Sequence, residues 1–208
     1  MILRPSNTRG ILTSQSWIQS RRTFSNNSYR DPRYTNFGSL CAINDDILWP
    51  GYTIPKHEHK NLDILGYMIE GELEHWDTLG NLSRAKPGNV QHMWCGKSIW
   101  HTEKCVSEKP ARYLQIWFKQ DHKDTQPFYQ LYTRNDNNFS FLNITMDNKF
   151  NVYAGMLNDK YNAGNSYLYV ISGSCQIGDQ ILYEGDGGIL NNETIIPFSS
   201  PHIILFEM

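Results

Sequence analysis

No stretch of this 208-residue chain keeps apolar side chains together for the roughly twenty residues that a membrane-spanning helix needs. Nor does a short apolar segment follow the N-terminal charges, as it would in a secretion signal. The expectation is a folded protein with no membrane association. Cysteine is scarce: Cys41, Cys95, Cys105 and Cys175 stand apart without a C-x-x-C pair. That argues against a disulfide framework or a zinc ribbon and fits a reducing, cytoplasmic setting. A basic surplus is missing, since 19 Lys and Arg face 21 Asp and Glu for a formal charge of −2, so direct nucleic-acid binding through phosphates is not expected. Acid is absent from the first thirty residues until Asp31 while Arg and Ser are frequent, which is the composition of an organelle transit peptide. The sequon Asn143-Ile144-Thr145 carries no weight without a secretion route.

Helical periodicity is also rare, and strand signals take its place. Short β-branched and aromatic runs are cut by Gly, Pro, Asn and Asp about every eight to twelve residues, a rhythm of sandwiches and barrels. With 39% hydrophobic and 13% aromatic residues there is enough apolar material for a buried core. The run Ile64–Ile69 reaches Glu70-Gly71 and continues through Leu73 and His75 to a turn at Gly80-Asn81, so one hairpin follows another. Similar grammar recurs about a hundred residues on. Tyr169 to Gly173 echoes Tyr67 to Gly71, and Glu184-Gly185-Asp186 echoes Pro87-Gly88-Asn89. The chain reads as an internal duplication, with domains at 1–135 and 136–208 and a polar connector over 121–138 that carries Phe128, Tyr129 and Tyr132.

What chemistry the chain has sits in the first half. His57 and His59 are separated by one residue, and His101 and Glu103 repeat that separation. A strand points alternate side chains to one face, so each pair presents both groups on one side of one strand. Two such strands side by side in a barrel would aim three imidazoles and one carboxylate at a common point. With seven His in the chain, chance alone gives about a quarter of a His-x-His pair, so the spacing competes with the plainer reading of histidines on a polar strand face. A mixed nitrogen and oxygen shell suits Fe, Mn, Co, Ni or Cu as divalent ions, whereas Zn held by four protein groups would close its shell tetrahedrally. In the second half the corresponding stretch holds Asn162, Gly164 and Asn165 but no histidine, and the far strand has the lone His202.

Gly51 ahead of His-x-His, Asp63 after it and the later Pro87-Gly88 turn resemble the cupin pattern. Within cupins, Gly71 to His75, Asp77 to Asn81, Val90-Gln91, Met93, His101-Thr102-Glu103 and Leu114 to Trp117 resemble the pirin family, as do Trp17, Ser20 to Phe24, Asp31-Pro32 and Phe37-Gly38. The resemblance covers nearly all of the first 130 residues, which places the Arg-rich start inside the fold. It implies an all-β bicupin of two tandem jelly-roll barrels, the first with one metal, commonly Fe(II), on His57, His59, His101 and Glu103, the second without ligands. It also implies one of two activities. Some relatives cleave the flavonol quercetin with dioxygen, in which case Glu103 is the proton-accepting catalytic group acting on a small aromatic substrate. Others are iron-dependent, redox-sensing regulators of a protein partner such as a transcription factor. The chain departs from the family at Lys56, Glu58 and Lys60 around the first pair, at Asp63 where Glu is usual, and at Asn26-Asn27.

Several further residues have a plain and a functional reading. Gln91 is a candidate hydrogen-bond donor behind the ligands, and Asp63, four residues after His59, could orient an imidazole or be a turn carboxylate. His75 reads as a solvent-facing or hydrogen-bonded strand histidine, and His92 as turned away from Gln91. Cys95 and Cys105 read as small buried hydrophobes, and Trp76, Trp94, Trp100 and Trp117 as core or barrel wall. Monomer and dimer are both open.

Overall fold

A computed structural model of the protein describes residues 1–122, 124–134, 136–142, 144 and 150–208, so Asn143 and Thr145 of the sequon and residues 123 and 135 of the connector lie outside it. Apart from a 3-10 turn at Ser6–Thr8, every described element is a strand. In chain order these are β1 Ile2–Arg4, β2 Gly10–Gln15, β3 Ile18–Arg22, β4 Leu40–Leu48, β5 Thr53–His59, β6 Leu62–Glu70, β7 Leu73–Asp77, β8 Leu82–Ala85 and β9 Val90–Trp94. There follow β10 Ile99–Cys105, β11 Ala111–Lys119, β12 Phe128–Tyr132, β13 Ser140–Phe141, β14 Asn151–Met156, β15 Tyr161–Ile177, β16 Gln180–Tyr183 and β17 Gly187–Glu207. Among the described residues no helix is long and apolar enough to cross a membrane.

The chain divides into two compact units, Gly10–Asn135 and a second made of Met1–Arg9 with Asp136–Met208. The sequence division at 135/136 thus differs at the N-terminus. β1 pairs antiparallel with β17, Ile2 opposite Ile189 and Arg4 opposite Gly187, and that ladder ties the first nine residues to the second unit. The segment with transit-peptide composition is likewise built into a sheet: β2 pairs with β3, and β3 with β4.

In the unit 10–135, a seven-stranded sheet ordered β12-β9-β6-β11-β4-β3-β2 and a four-stranded sheet ordered β5-β10-β7-β8 make the jelly roll. Alternation is strict where it matters. In β10 the residues Ile99, His101, Glu103 and Cys105 are buried while Trp100 and Lys104 are exposed, as a two-residue period requires. The interior is layered. One apolar cluster contains Ala42, Ile64, Met93, Ile99 and Trp117, and another contains Leu48, Met68, Leu73, Cys105 and Tyr113. The inward positions lying between them along the same strands are polar or empty: Asn44 and Asp46 in β4, Gly66 in β6, His101 and Glu103 in β10, and Gln115 in β11. Each fully buried large apolar side chain contributes about 1.5–3 kcal/mol, so the two clusters offset the desolvation of the polar belt they enclose. Gly66 belongs to that belt for steric reasons, since a Cβ there would meet Gln91 Oε1 at 3.0 Å.

In the other unit, β15 meets β17 on both of its edges, with Tyr167 opposite Ile189 in one register and Phe206 in another, so two long bent strands close much of the sheet. Its core is apolar, with Leu168, Val170, Leu182, Leu190, Ile203 and Leu205 fully buried. Among the described residues, neither of the protein's potential ligand clusters falls in this unit.

Candidate metal centre

Three neighbouring strands supply the centre. β10 lies between β5 and β7, with His101 opposite His57 on one side and Asp77 on the other, and Glu103 opposite His75. The β5 register shifts between His101 and Glu103, which places Glu103 opposite Ile54. Ligand atoms of His57, His59 and His101 lie within 4.8 Å of one another, and the same holds for His75, His101 and Glu103. His101 is thus common to both groups, and Glu103 falls in the group with His75 and His101 and not in that of His57 and His59.

Each ring has a distinct setting. Nδ1 of His57 lies 2.9 Å from the Pro55 carbonyl, which can only accept, so Nδ1 carries the proton and Nε2 keeps its lone pair. His59 packs edge-on against Trp117 with its Nε2 buried and without a partner. Both nitrogens of His101, a residue only 2% exposed, are also without partners. A buried polar atom left unsatisfied costs about 1–3 kcal/mol, and His59 and His101 can each turn one lone pair of these nitrogens to a cation. The donor set fits a divalent transition ion. Burial lowers the pKa values of His57 and His59, that of His59 to about 4 with His57 adding to the effect. Burial, then the neighbouring rings of His57, His59 and His75, pushes His101 far down. The imidazoles therefore stay neutral, the form that ligates.

Glu103 is held from the opposite sheet. Gln115 Nε2 donates to its Oε2 at 3.1 Å and the Tyr113 hydroxyl at 3.4 Å. Burial, then the charge of Asp46, raises its pKa to about 7, against the lowering by those two donors. Beside it lies a cavity of about 10 Å³, the space of about one water molecule or ion, lined by His75, Gln91, His101, Glu103, Gln115 and Tyr129 among others.

The structure revises several expectations. His75 is hydrogen-bonded but not solvent-facing: with Leu73 and Asp77 it takes the inward positions of β7, and its Nε2 lies 3.0 Å from Asp77 Oδ2. Asp63 is not beside His59. The chain turns at Asn61, whose φ is +52°, and passes from the four-stranded to the seven-stranded sheet, so Asp63 instead accepts from His92 Nε2 at 2.6 Å. His92 faces away from Gln91 yet is fully buried, because Phe128 of β12 packs edge-on against it. Gln91 does line the cavity, buried beside Tyr129. Trp94 and Trp117 are buried, whereas Trp76 and Trp100 take outward positions on β7 and β10, about 40% exposed, with the Lys56 ammonium 5.4 and 5.9 Å from their rings. Tyr113, Gln115 and Tyr129 are site residues that the sequence did not single out. Gln115 alone carried a signal, as the one amide in the apolar run Tyr113–Phe118.

Known proteins are similar to this chain to differing extents. The Pirin family model matches residues 5–118. A protein of Escherichia coli (strain K12) named quercetin 2,3-dioxygenase is 36% identical over 129 residues, 62% of this chain and 55% of its own length. The chain thus spans about half the length of the curated relatives it matches at this level. Among solved structures, YhhW from Escherichia coli superposes with a TM-score of 0.93 and 26% identity over 100% of this chain and 97% of that one. A second structure, titled bacterial pirin YhhW in complex with nickel(II), gives 0.92 and 26% over 100% and 99%.

Proposed function

The chain belongs to the pirin family, and on that premise we propose that it is a metal-dependent dioxygenase of a small phenolic, flavonol-type compound, with His57, His59, His101 and Glu103 holding one divalent ion. The observation that carries this reading is the convergence of His57, His59 and His101, the last two with orphaned buried nitrogens, beside a carboxylate of raised pKa. The name of the Escherichia coli relative supports the reaction class, and the nickel-bound pirin structure supports a metal. Iron(II) is our choice among ions that mixed imidazole and carboxylate shells accept.

A bound ion would supply Lewis acidity toward a substrate hydroxyl and a route for electrons to dioxygen. The protein does the rest. Pro55 fixes the tautomer of His57, and Trp117 fixes the ring of His59. Glu103 takes the proton from the substrate hydroxyl at its carboxylate, and Gln115 and Tyr113 hold the group in place while it changes charge. The inner cavity is too small for a flavonol, so the organic substrate approaches on the His57 side, where β5 is partly exposed, and the buried side excludes bulk water.

The test is anaerobic titration of the Fe(II)-loaded protein with quercetin, followed by admission of air. The expected result is a shift of the flavonol absorbance on binding and oxygen uptake afterwards, with Glu103→Gln retaining metal while losing at least 100-fold in turnover. Unchanged absorbance and no oxygen uptake would reject the reaction, and full turnover in Glu103→Gln would reject the base.

A further inference from the structure

The ion-sized cavity is not walled by the three-histidine group. His75, His101 and Glu103 line it, together with Gln91 and Gln115, and His57 and His59 do not. We propose that His75, His101 and Glu103 form a second, inner metal position, filled by a divalent ion as an alternative to the position at His57, His59 and His101. It shares His101 and Glu103 with the reading above and needs neither His57 nor His59.

Four observations carry it. The ligand atoms of the inner three lie within 4.8 Å of one another, so two imidazoles and one carboxylate already converge without a ligand present. That is the donor set of open mononuclear iron sites. The space beside them, about 10 Å³, takes one ion or one water. His75 is prepared as a ligand in a way that His101 is not. Asp77 accepts from its Nε2, and Asp77 itself is anchored by the backbone N–H groups of Leu79 and Asn81 and by the Asn81 amide. A carboxylate so saturated with donors is ionised and can only accept, so Nε2 of His75 carries the proton and Nδ1 the lone pair. The ring is clamped from its face by Tyr129, stacked at 4.1 Å and 7°. Finally, Gln91 is 5% exposed and lines the same cavity beside Tyr129, where its amide would donate to a water carried in with the ion.

Exclusivity follows from His101. A neutral imidazole has one lone pair, so His101 serves the outer or the inner position but not both, and the chain holds one ion at a time. The inner position differs chemically from the outer one. It is enclosed and joins two imidazoles to a carboxylate, while the outer one gathers three imidazoles and lies nearer the surface, at the half-buried His57.

The experiment is calorimetric titration of the untagged apoprotein with Co(II), for wild type and for His57→Ala/His59→Ala, with thermal melts to verify folding. The double variant is expected to bind one Co(II) per chain more weakly than wild type, with an X-ray absorption spectrum showing two imidazoles. In that background Asp77→Asn is expected to weaken binding by about 10- to 100-fold, and His75→Gln to abolish it. A folded double variant that takes up no stoichiometric Co(II), while wild type does, overturns the inner position alone. So does a double variant whose affinity ignores Asp77→Asn and whose spectrum shows fewer than two imidazoles, a readout that stands even where His75→Gln does not fold. Wild-type affinity in the double variant, sensitive to Asp77→Asn, upholds the inner position and overturns the three-histidine assignment. No binding by wild type overturns both.

Discussion

At the scale of residues, the centre combines imidazoles that refuse protons with a carboxylate that keeps one. Burial holds His57, His59 and His101 below the ordinary 6.5, while burial and Asp46 hold Glu103 near 7, above its ordinary 4.5. An ion arriving at pH 6 therefore meets His59 and His101 neutral, and the proton it must displace beside them is that of Glu103. Proton release per bound Ni(II), read by calorimetry in buffers of different ionisation enthalpy, should approach one at pH 6 and fall toward zero as pH rises through about 7. The same experiment on Glu103→Gln should show no such step, and a step unchanged in that variant would assign the proton elsewhere. In the ion-free protein the signs are opposed. The histidines contribute stability that is present above 6.5 and lost as pH falls toward their folded values, because the unfolded chain takes up protons that the fold excludes. Glu103 contributes stability that is present below 4.5 and lost as pH rises to about 7. Sequence exposed His57, His59, His101 and Glu103 because a two-residue spacing is local. It did not expose the inward place of His75, since His75-x-Asp77 near a hairpin has the same local form as a solvated strand.

At the scale of elements, β10 is the organiser: its alternation gives His101 and Glu103, and its two neighbours give the remaining imidazoles. Which strands flank β10 is a matter of topology, and local pattern carries no trace of it. The same limit explains Asp63, whose spacing from His59 counts residues across a change of sheet. The hairpin from β6 to β7 matters because it sets His75 and Asp77 against β10. Its turn residue Gly71 has φ +70°, and a Cβ there would lie 2.7 Å from the Pro110 carbonyl oxygen. Gly80, at the end of β7, has φ +88° but open space around it. Gly71→Ala should lose about 2 kcal/mol or more, from the left-handed backbone plus the clash, and Gly80→Ala about 1 kcal/mol, read by urea unfolding. Equal losses would show that the contact with Pro110 relaxes freely.

At the scale of the molecule, two β units differ in their interiors: Gly10–Asn135 encloses a belt of polar groups with two potential metal-ligand clusters between apolar clusters, whereas the second unit has an apolar core cluster and, among its described residues, buries Arg4, Arg9, Ser166 and Ser174 but no such ligand cluster. The barrel class and the want of any histidine but His202 in the second half were legible from punctuation and composition. The attachment of Met1–Arg9 to the second unit was not, because a three-residue strand pairing with β17 leaves no local signal. The account rests on convergence of His57, His59 and His101 on one ion. The most direct measurement is Ni(II) titration of untagged apoprotein beside His101→Ala, with metal content after gel filtration and melting temperature recorded for both. The account predicts one ion per chain for wild type, with stabilisation of about 2.7 kcal/mol at a free concentration of 100 times Kd, and neither binding nor stabilisation for a folded His101→Ala. Wild type without stoichiometric metal, or a His101→Ala that binds as tightly as wild type, would contradict it.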